Sequence, residues 1–283
     1  MIREEADEET EYVKTFCKNL GVECFAKKID VINIAKEKKQ GTEEAGREIR
    51  YSFFEEVLVK TGSNKIATAH NNNDKVETII MNILRGSGVS GLKGIEPIRN
   101  EKFIRPLIEI EREQIEEYCL KNNLEPRIDK SNNENIYTRN KIRNAVIPYI
   151  KKEFNPNIIK TINRLSEVSN EENEYIEKIT AKTFNEITID NNNKMDQCFQ
   201  EYNQKNTIIL NLKKFNNQEL VIKRRLILYT INKVLHSIDG IEKINIDDII
   251  KMCNKNIGNK YLMPNKKIKI LVGKGKIFFI ALI

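Results

Sequence analysis

Apolar positions follow helical spacing over some stretches of this chain and run as short continuous blocks over others, and the two alternate. Glu5–Asn19 predicts a helix and Val22–Val31 a strand. A second helix is expected from Thr42 to Val59, with Thr42 as its cap and Ile49, Phe53 and Val57 as its buried stripe. Glu43 and Glu44 fall in its first turn, where the backbone dipole favours acids. Residues 65–70 read as a short buried strand ending at His70. A helix over 75–85 follows, with Val76, Ile79, Ile80, Ile83 and Leu84 at helical spacing, and another spans 111–121. This strand–helix alternation predicts an α/β fold with a parallel sheet carrying packed helices.

The pattern changes after Pro148 and Pro156. Ile158, Ile162, Leu165, Tyr175, Ile176 and Ile179 predict one long helix, and Leu220–Leu235 and Ile246–Cys253 two more. Lys267–Val272 and Lys276–Ile283 read as strands joined through Gly273-Lys274-Gly275, a terminal β-hairpin. The expected organisation is therefore an α/β domain over 1–152 and a mainly helical domain over 153–283. There is no internal repeat.

Chemistry concentrates at Ala69-His70-Asn71-Asn72-Asn73-Asp74-Lys75-Val76-Glu77-Thr78. A strand-to-helix turn lies at the carboxyl edge of a sheet, where open α/β folds bind ligands. Asp74 and Glu77 also have the spacing of a capping box, with Asp74 as N-cap. Taken alone, the local pattern leaves both readings open.

Further blocks carry a family resemblance. Arg3-Glu4-Glu5-Ala6-Asp7, Arg47-Glu48-Ile49-Arg50-Tyr51, the histidine block with Leu84-Arg85-Gly86-Ser87-Gly88 and Gly91-Leu92-Lys93-Gly94, then Ile104-Arg105-Pro106-Leu107, and finally Asp129-Lys130-Ser131-Asn132 with Arg139-Asn140-Lys141-Ile142-Arg143, occur in that order. Together they resemble the tRNA(Ile)-lysidine synthetases, PP-loop enzymes with an adenine nucleotide α-hydrolase-like fold. Two features depart from that pattern. Asn73 stands where the family has the first of two aspartates. A Ser-Gly-Gly-x-Asp-Ser phosphate loop is absent, and no Gly-Gly pair occurs in the sequence. The expectation is a partial doubly wound sheet, with the first strands, the phosphate loop and the last C-terminal domain missing. Unpaired edges of such a sheet favour self-association, hence an expected homodimer.

The resemblance implies an ATP- and Mg2+-dependent carbon–nitrogen ligase. Such enzymes adenylate the carbonyl oxygen on C2 of the wobble cytidine of tRNA(Ile) with a CAU anticodon, and the amine of free lysine then attacks C2 and displaces AMP. By resemblance, Asp74 and Glu77 hold the lysine ammonium, and Arg139 and Arg143, four residues apart on one helical face, clamp a phosphate. His70, Arg47, Asp129, Ser131, Asn132 and Asn140 are expected around the nucleotide and substrate. One of Arg47 and Arg50 is expected to face the site and the other solvent. Activity of a chain lacking the phosphate loop is expected to be impaired. A non-catalytic tRNA-binding fragment and another PP-loop tRNA modifier, such as a thiolase, are the competing readings.

Composition narrows these choices. The five cysteines are scattered, with no Cys-x-x-Cys pair, which disfavours the thiolase, a structural zinc site and a disulfide framework. No run of apolar residues is long enough for a membrane span, and the start has no apolar signal core, so a cytoplasmic protein is expected. The whole chain carries +7, while Ile249–Ile283 alone has eight lysines and no acid. Lys266, Lys267 and Lys269 in that tail, and Lys141, Lys151 and Lys152 beside the candidate site, are the expected tRNA contacts. A solvated lysine face accounts for the tail charge equally well.

Overall fold

The computed structural model describes residues 4–127, 137–189, 207–255 and 260–282. They form two compact units, 1–169 and 170–283. The division falls within a long helix that begins just after Pro156.

The first unit opens with α1 (Glu4–Asn19), α2 (Val31–Lys38) and α3 (Thr42–Thr61). The strand expected over 22–31 does not form. Residues 22–30 pair with no strand among the described residues, and a strand without a ladder partner has no stability of its own. Asp30 instead accepts a hydrogen bond from Asn33 N and starts α2 at Val31. Helix α3 is capped by Gly41, so Thr42 is its first turn rather than its cap. Its expected stripe of Ile49, Phe53 and Val57 is only half-buried, and Ala45 alone is fully enclosed.

The sheet of this unit has three two-residue strands, β1 (Ile66–Ala67), β2 (Ile98–Arg99) and β3 (Phe103–Ile104), in the order β1-β3-β2. β1 runs parallel to β3, and β2 antiparallel to it, so the sheet is mixed rather than parallel throughout. From β1 the chain passes His70 into α4 (Asn72–Leu84), the best-buried helix of the unit. Val76, Ile79 and Ile80 pack there against Ile142, Ile147, Ile159 and Ile162. A tight turn over 89–93 returns the chain to α4 at Gly94, whose φ is +67°. A β-carbon at that position would stand 2.9 Å from Ile79 Cγ1 and 3.0 Å from Lys75 Cγ.

After α5 (Arg112–Lys121), residues 138–153 form one interrupted helix. α6 (Thr138–Lys141) runs into a π turn over Ile142–Val146 and then α7 (Ile147–Glu153). Pro148 supplies the cause: it lacks an N–H, and its ring crowds the carbonyl four residues back, so the α-ladder cannot continue unbroken. Ile147 N bonds Ile142 O across the widened turn. The long helix α8 then spans Ile158–Ile187.

The second unit continues with β4 (Thr207–Asn211), α9 (Leu212–Asn216), α10 (Leu220–Leu235), α11 (Lys243–Asn254), β5 (Lys260–Asn265), β6 (Ile268–Gly273) and β7 (Lys276–Ala281). The expected hairpin is β6–β7, turning through Lys274 at φ 46° and Gly275 at φ 72°, the left-handed pair that a tight hairpin requires. It is not a free-standing element. The sheet has four antiparallel strands in the order β4-β7-β6-β5, which makes the hairpin its centre. One face, with Ile268, Ile270, Val272, Ile277 and Phe279, packs on α9, α10 and α11. The opposite face buries Ile209, Leu271, Phe278 and Ile280.

Gly94→Ala should lower the unfolding free energy by more than about 1 kcal/mol, because it adds a clash to an unfavourable backbone region. Chemical denaturation monitored by circular dichroism measures the loss. The same change at Gly62, also at positive φ but with open space around it, should cost less.

Candidate functional site

The site is built around the first two turns of α4. Asn71, not Asp74, is the N-cap: its side chain accepts from Asp74 N at 3.1 Å, and Asp74 Oδ2 accepts from Asn71 N at 3.0 Å. The capping box is real but lies three residues earlier than the one drawn from Asp74 and Glu77. That shift leaves Asp74 Oδ1 to accept from Arg143 Nη2 at 3.0 Å. One carboxylate thus both caps the helix and joins an ion pair.

Glu77, one turn on, is 1% exposed. Arg143 donates to it twice, Nε to Oε1 at 2.6 Å and Nη2 to Oε2 at 2.9 Å. Arg139 Nε stands 3.4 Å from Glu77 Oε2, and Arg139 Nη2 donates to Thr78 Oγ1 at 2.8 Å. Burial pushes the Glu77 carboxyl above the ordinary carboxylate range, and Arg143 opposes that push. The planar fork of Arg143 matches the carboxylate edge, the geometry that makes such pairs strong.

Two adjoining hollows flank this cluster. The larger, about 550 Å³, opens at the end of β1 and is lined by Thr68, His70, Asp74, Arg47, Arg50, Tyr51 and Arg139, among others. The smaller, about 400 Å³, shares His70, Arg47 and Arg139 and adds Thr78, Asn82, Arg85, Gly94, Glu96, Arg99 and Arg105. Both arginines of α3 therefore face the larger hollow, against the expectation that one would turn to solvent. Arg47 and Arg99 both lie over the Tyr51 ring, at 5.3 and 5.7 Å. His70 Nδ1 is 2.9 Å from Thr68 Oγ1. Partial burial lowers the His70 pKa, Arg105, Arg139 and Arg47 lower it further, and Asp74 opposes them.

His70, Arg47, Asp74 and Arg139 thus come together on the hollows. Glu77 and Arg143 lie behind them, locked to each other, and line neither. Asn140 is buried on α6. Asp129, Ser131 and Asn132 lie outside the described residues. Lys141 and Lys152 are exposed; Lys152 pairs with Glu153 at 3.0 Å and Lys151 with Glu113 at 3.3 Å. Lys266 and Lys267 are exposed in the β5–β6 turn. Lys269 is half-buried with its ammonium 4.3 Å from the Tyr261 ring centre. Asn73 Oδ1 accepts from Arg112 N at 3.0 Å and anchors the start of α5. An aspartate would supply the same acceptor, so the amide keeps that structural role. Arg85, Arg99 and Arg105 were given no role from sequence, although Arg85 and Arg105 stand in blocks that carry the resemblance.

Comparison with known proteins decides the family. A family model described as a PP-loop domain matches residues 1–150. The chain belongs to the PP-loop domain family. Membership implies an adenine nucleotide α-hydrolase-like α/β fold for the first unit. The chain is 43% identical to the tRNA(Ile)-lysidine synthase of Clostridium acetobutylicum over 266 residues, 93% of the chain and 54% of that protein. It is 38% identical to that of Clostridium tetani over 273 residues, 96% of the chain and 55% of the relative. A tRNA(Ile)-lysidine synthase from Thermosipho africanus is 42% identical over 184 residues, 65% of the chain and 43% of its own length. The chain spans about half the length of the Clostridium relatives it matches. Among the described residues no helix is long and apolar enough to cross a membrane.

Arg143→Ala leaves the Glu77 carboxylate, 1% exposed, without its main partner and should cost about 3–5 kcal/mol of stability. Glu77→Ala leaves a half-buried guanidinium still paired with Asp74 and should cost less, and the double variant should cost less than the sum of the two in a denaturant double-mutant cycle. His70 carries a separate prediction. Its pKa is lowered in the folded state, so the unfolded chain binds the proton more readily below pH 6.5. Stability should fall as pH drops through that value, and His70→Asn should flatten this part of a pH–melting curve.

Proposed function

We propose that the protein carrying this sequence makes lysidine: it ligates free lysine to C2 of the wobble cytidine of tRNA(Ile), using ATP. The observation that carries the proposal is the position of Asp74. It is the only carboxylate of the α4 ion-pair cluster that reaches the larger hollow, and it does so beside His70 and three arginines. The similarity to named tRNA(Ile)-lysidine synthases supports the same choice over a thiolase or a non-catalytic fragment.

The larger hollow fits a polyphosphate. Arg47, Arg50 and Arg139 would neutralise its charge, and Tyr51 and Phe54 offer apolar walls. ATP bound there would supply an adenylate leaving group at the cytidine C2 oxygen. Asp74 retains lone pairs toward the hollow and would hold the incoming ammonium by charge-assisted hydrogen bonds. Glu77 and Arg143 would act one step back. By fixing each other they keep Arg139 and Asp74 in place, so Glu77 is a positioning residue rather than an ammonium ligand. Magnesium brought in with ATP would need only one or two carboxylates besides the phosphates, and we derive no step through the metal.

The second unit, with its lysine-rich tail, would meet the tRNA through Lys266 and Lys267, and the first through Lys141 and Lys152.

In the protein that carries this sequence, ATP-dependent transfer of labelled lysine into tRNA(Ile) tests the proposal. Asp74→Asn should raise the KM for lysine, and Arg139→Ala should reduce kcat. Wild-type kinetics in both variants would exclude the site. Changing Lys266, Lys267 and Lys269 together to Ala should flatten the log–log salt dependence of tRNA binding by about 1–3 units. An unchanged slope would return those lysines to the role of a solvated face.

A further inference from the structure

Arg105 is 7% exposed, and the described residues leave its charge uncompensated. Its Nη1 donates to the Glu96 carbonyl, its Nε finds no acceptor, and it forms no ion pair among the described residues. A guanidinium cannot shed its proton to escape this, as a buried lysine can. A charge removed from water and met only by one carbonyl dipole costs several kcal/mol, unless an anion completes the site. Arg143 shows the contrast within the same unit, since two carboxylates answer it.

The neighbours add to the imbalance. Arg47, Arg85 and Arg99 wall the same 400 Å³ hollow and form no ion pair among the described residues. The two acids on the wall do not offset them: Glu96 reaches Lys93 at 3.4 Å, and Glu43 is exposed. Tyr51 lies under both Arg47 and Arg99, which sets two like charges against one ring. The wall is also stiff. Arg105 N donates to Pro97 O at 2.9 Å, and Gly94 sits against α4 with no room for a side chain.

We propose that the smaller hollow is a phosphate subsite anchored by Arg105, with Arg47, Arg85 and Arg99 completing its cationic wall. It adjoins the larger hollow, with Arg47, His70 and Arg139 on the wall between them. The phosphate belongs either to a nucleotide or to an RNA backbone, which share the same oxyanion. The depressed His70 pKa agrees with the surplus of positive charge, because His70 lines this hollow with Arg47, Arg105 and Arg139 close to it.

The 283-residue chain has two histidines, His70 and His236, so proton NMR of the imidazoles reads the subsite without catalysis. Inorganic phosphate should raise the His70 titration midpoint and leave His236 unmoved. Arg105→Gln should weaken phosphate binding by about ten-fold or more, the loss expected for one charge-assisted hydrogen bond. It should not lower the melting temperature without phosphate, because it removes an uncompensated buried charge. Arg99→Gln, at an exposed position, is the second variant; it should fold normally and bind phosphate more weakly. AMP and an anticodon stem-loop RNA then separate the sources. Weaker AMP binding in both variants assigns a nucleotide phosphate, and weaker RNA binding a backbone phosphate. The RNA arm rests on the proposed tRNA substrate; the inorganic phosphate arm does not. Wild-type affinity of both variants for inorganic phosphate, or a His70 midpoint indifferent to it, would overturn the subsite.

Discussion

A carboxylate with almost no access to water, Glu77, sits between two guanidinium groups, and the rest of the first unit is arranged to keep it there. Its helix supplies Asp74 one turn earlier as a second acceptor for Arg143. The same helix buries Val76, Ile79 and Ile80 against residues flanking the two arginines in the chain. Apolar packing and the charged cluster therefore share one framework. Neither survives alone: a buried pair losing one member leaves an unpaired charge, and a helix that slips loses its core contacts.

This framework divides the arginines of the unit into two populations. Arg143 is answered in full and faces away from the hollows. Arg47, Arg85, Arg99 and Arg105 are unanswered by carboxylates among the described residues and face a hollow. Arg139 belongs to both, touching Glu77 on one side and lining both hollows on the other. The surface offered to a ligand is thus strongly cationic although the unit holds acids nearby, because arginines outnumber the acids on both walls and Asp74 and Glu96 are paired with Arg143 and Lys93. The cysteines take no part. The four among the described residues are free thiols, and burial pushes Cys253 up to about 12, far from a reactive thiolate.

Helices were the legible part of this sequence, because their signal is local. The apolar spacing of Leu220–Leu235 gives the bounds of α10 residue for residue, and α1, α5 and α11 shift by only a few positions. Strands depend on partners distant in the chain. Val22–Val31 has the composition of a strand but no ladder neighbour among the described residues, while Thr207–Asn211 and Lys260–Asn265 form ladders that five or six residues do not announce. Pro264 in β5 disguises it further, as an edge strand tolerates what a central one would not. At the candidate site, the His70–Thr78 block falls where the two hollows open, yet its spacing could not say which carboxylate faces them. That answer depends on where the helix begins, and Asn71 moved it. Arg105 was hidden for a different reason: whether a charge is answered is a property of space, and the chain order of Arg105-Pro106-Leu107 carries no trace of it.

The π turn over Ile142–Val146 sets a phase. In an unbroken α-helix, residues five apart point in different directions. Here Ile142 and Ile147 are 1% and 6% exposed in the same cluster, because the widened turn absorbs the extra residue. Arg139 lies before this step and Arg143 within it, while the Ile147–Ile159 packing is counted from beyond it. The turn works like a gear tooth between the two. Losing a single residue there would leave every side chain intact, yet rotate the arginines relative to the core and unseat them from Glu77. The spacing between Lys141 and Pro148 should therefore resist insertion and deletion more strongly than its individual residues resist substitution.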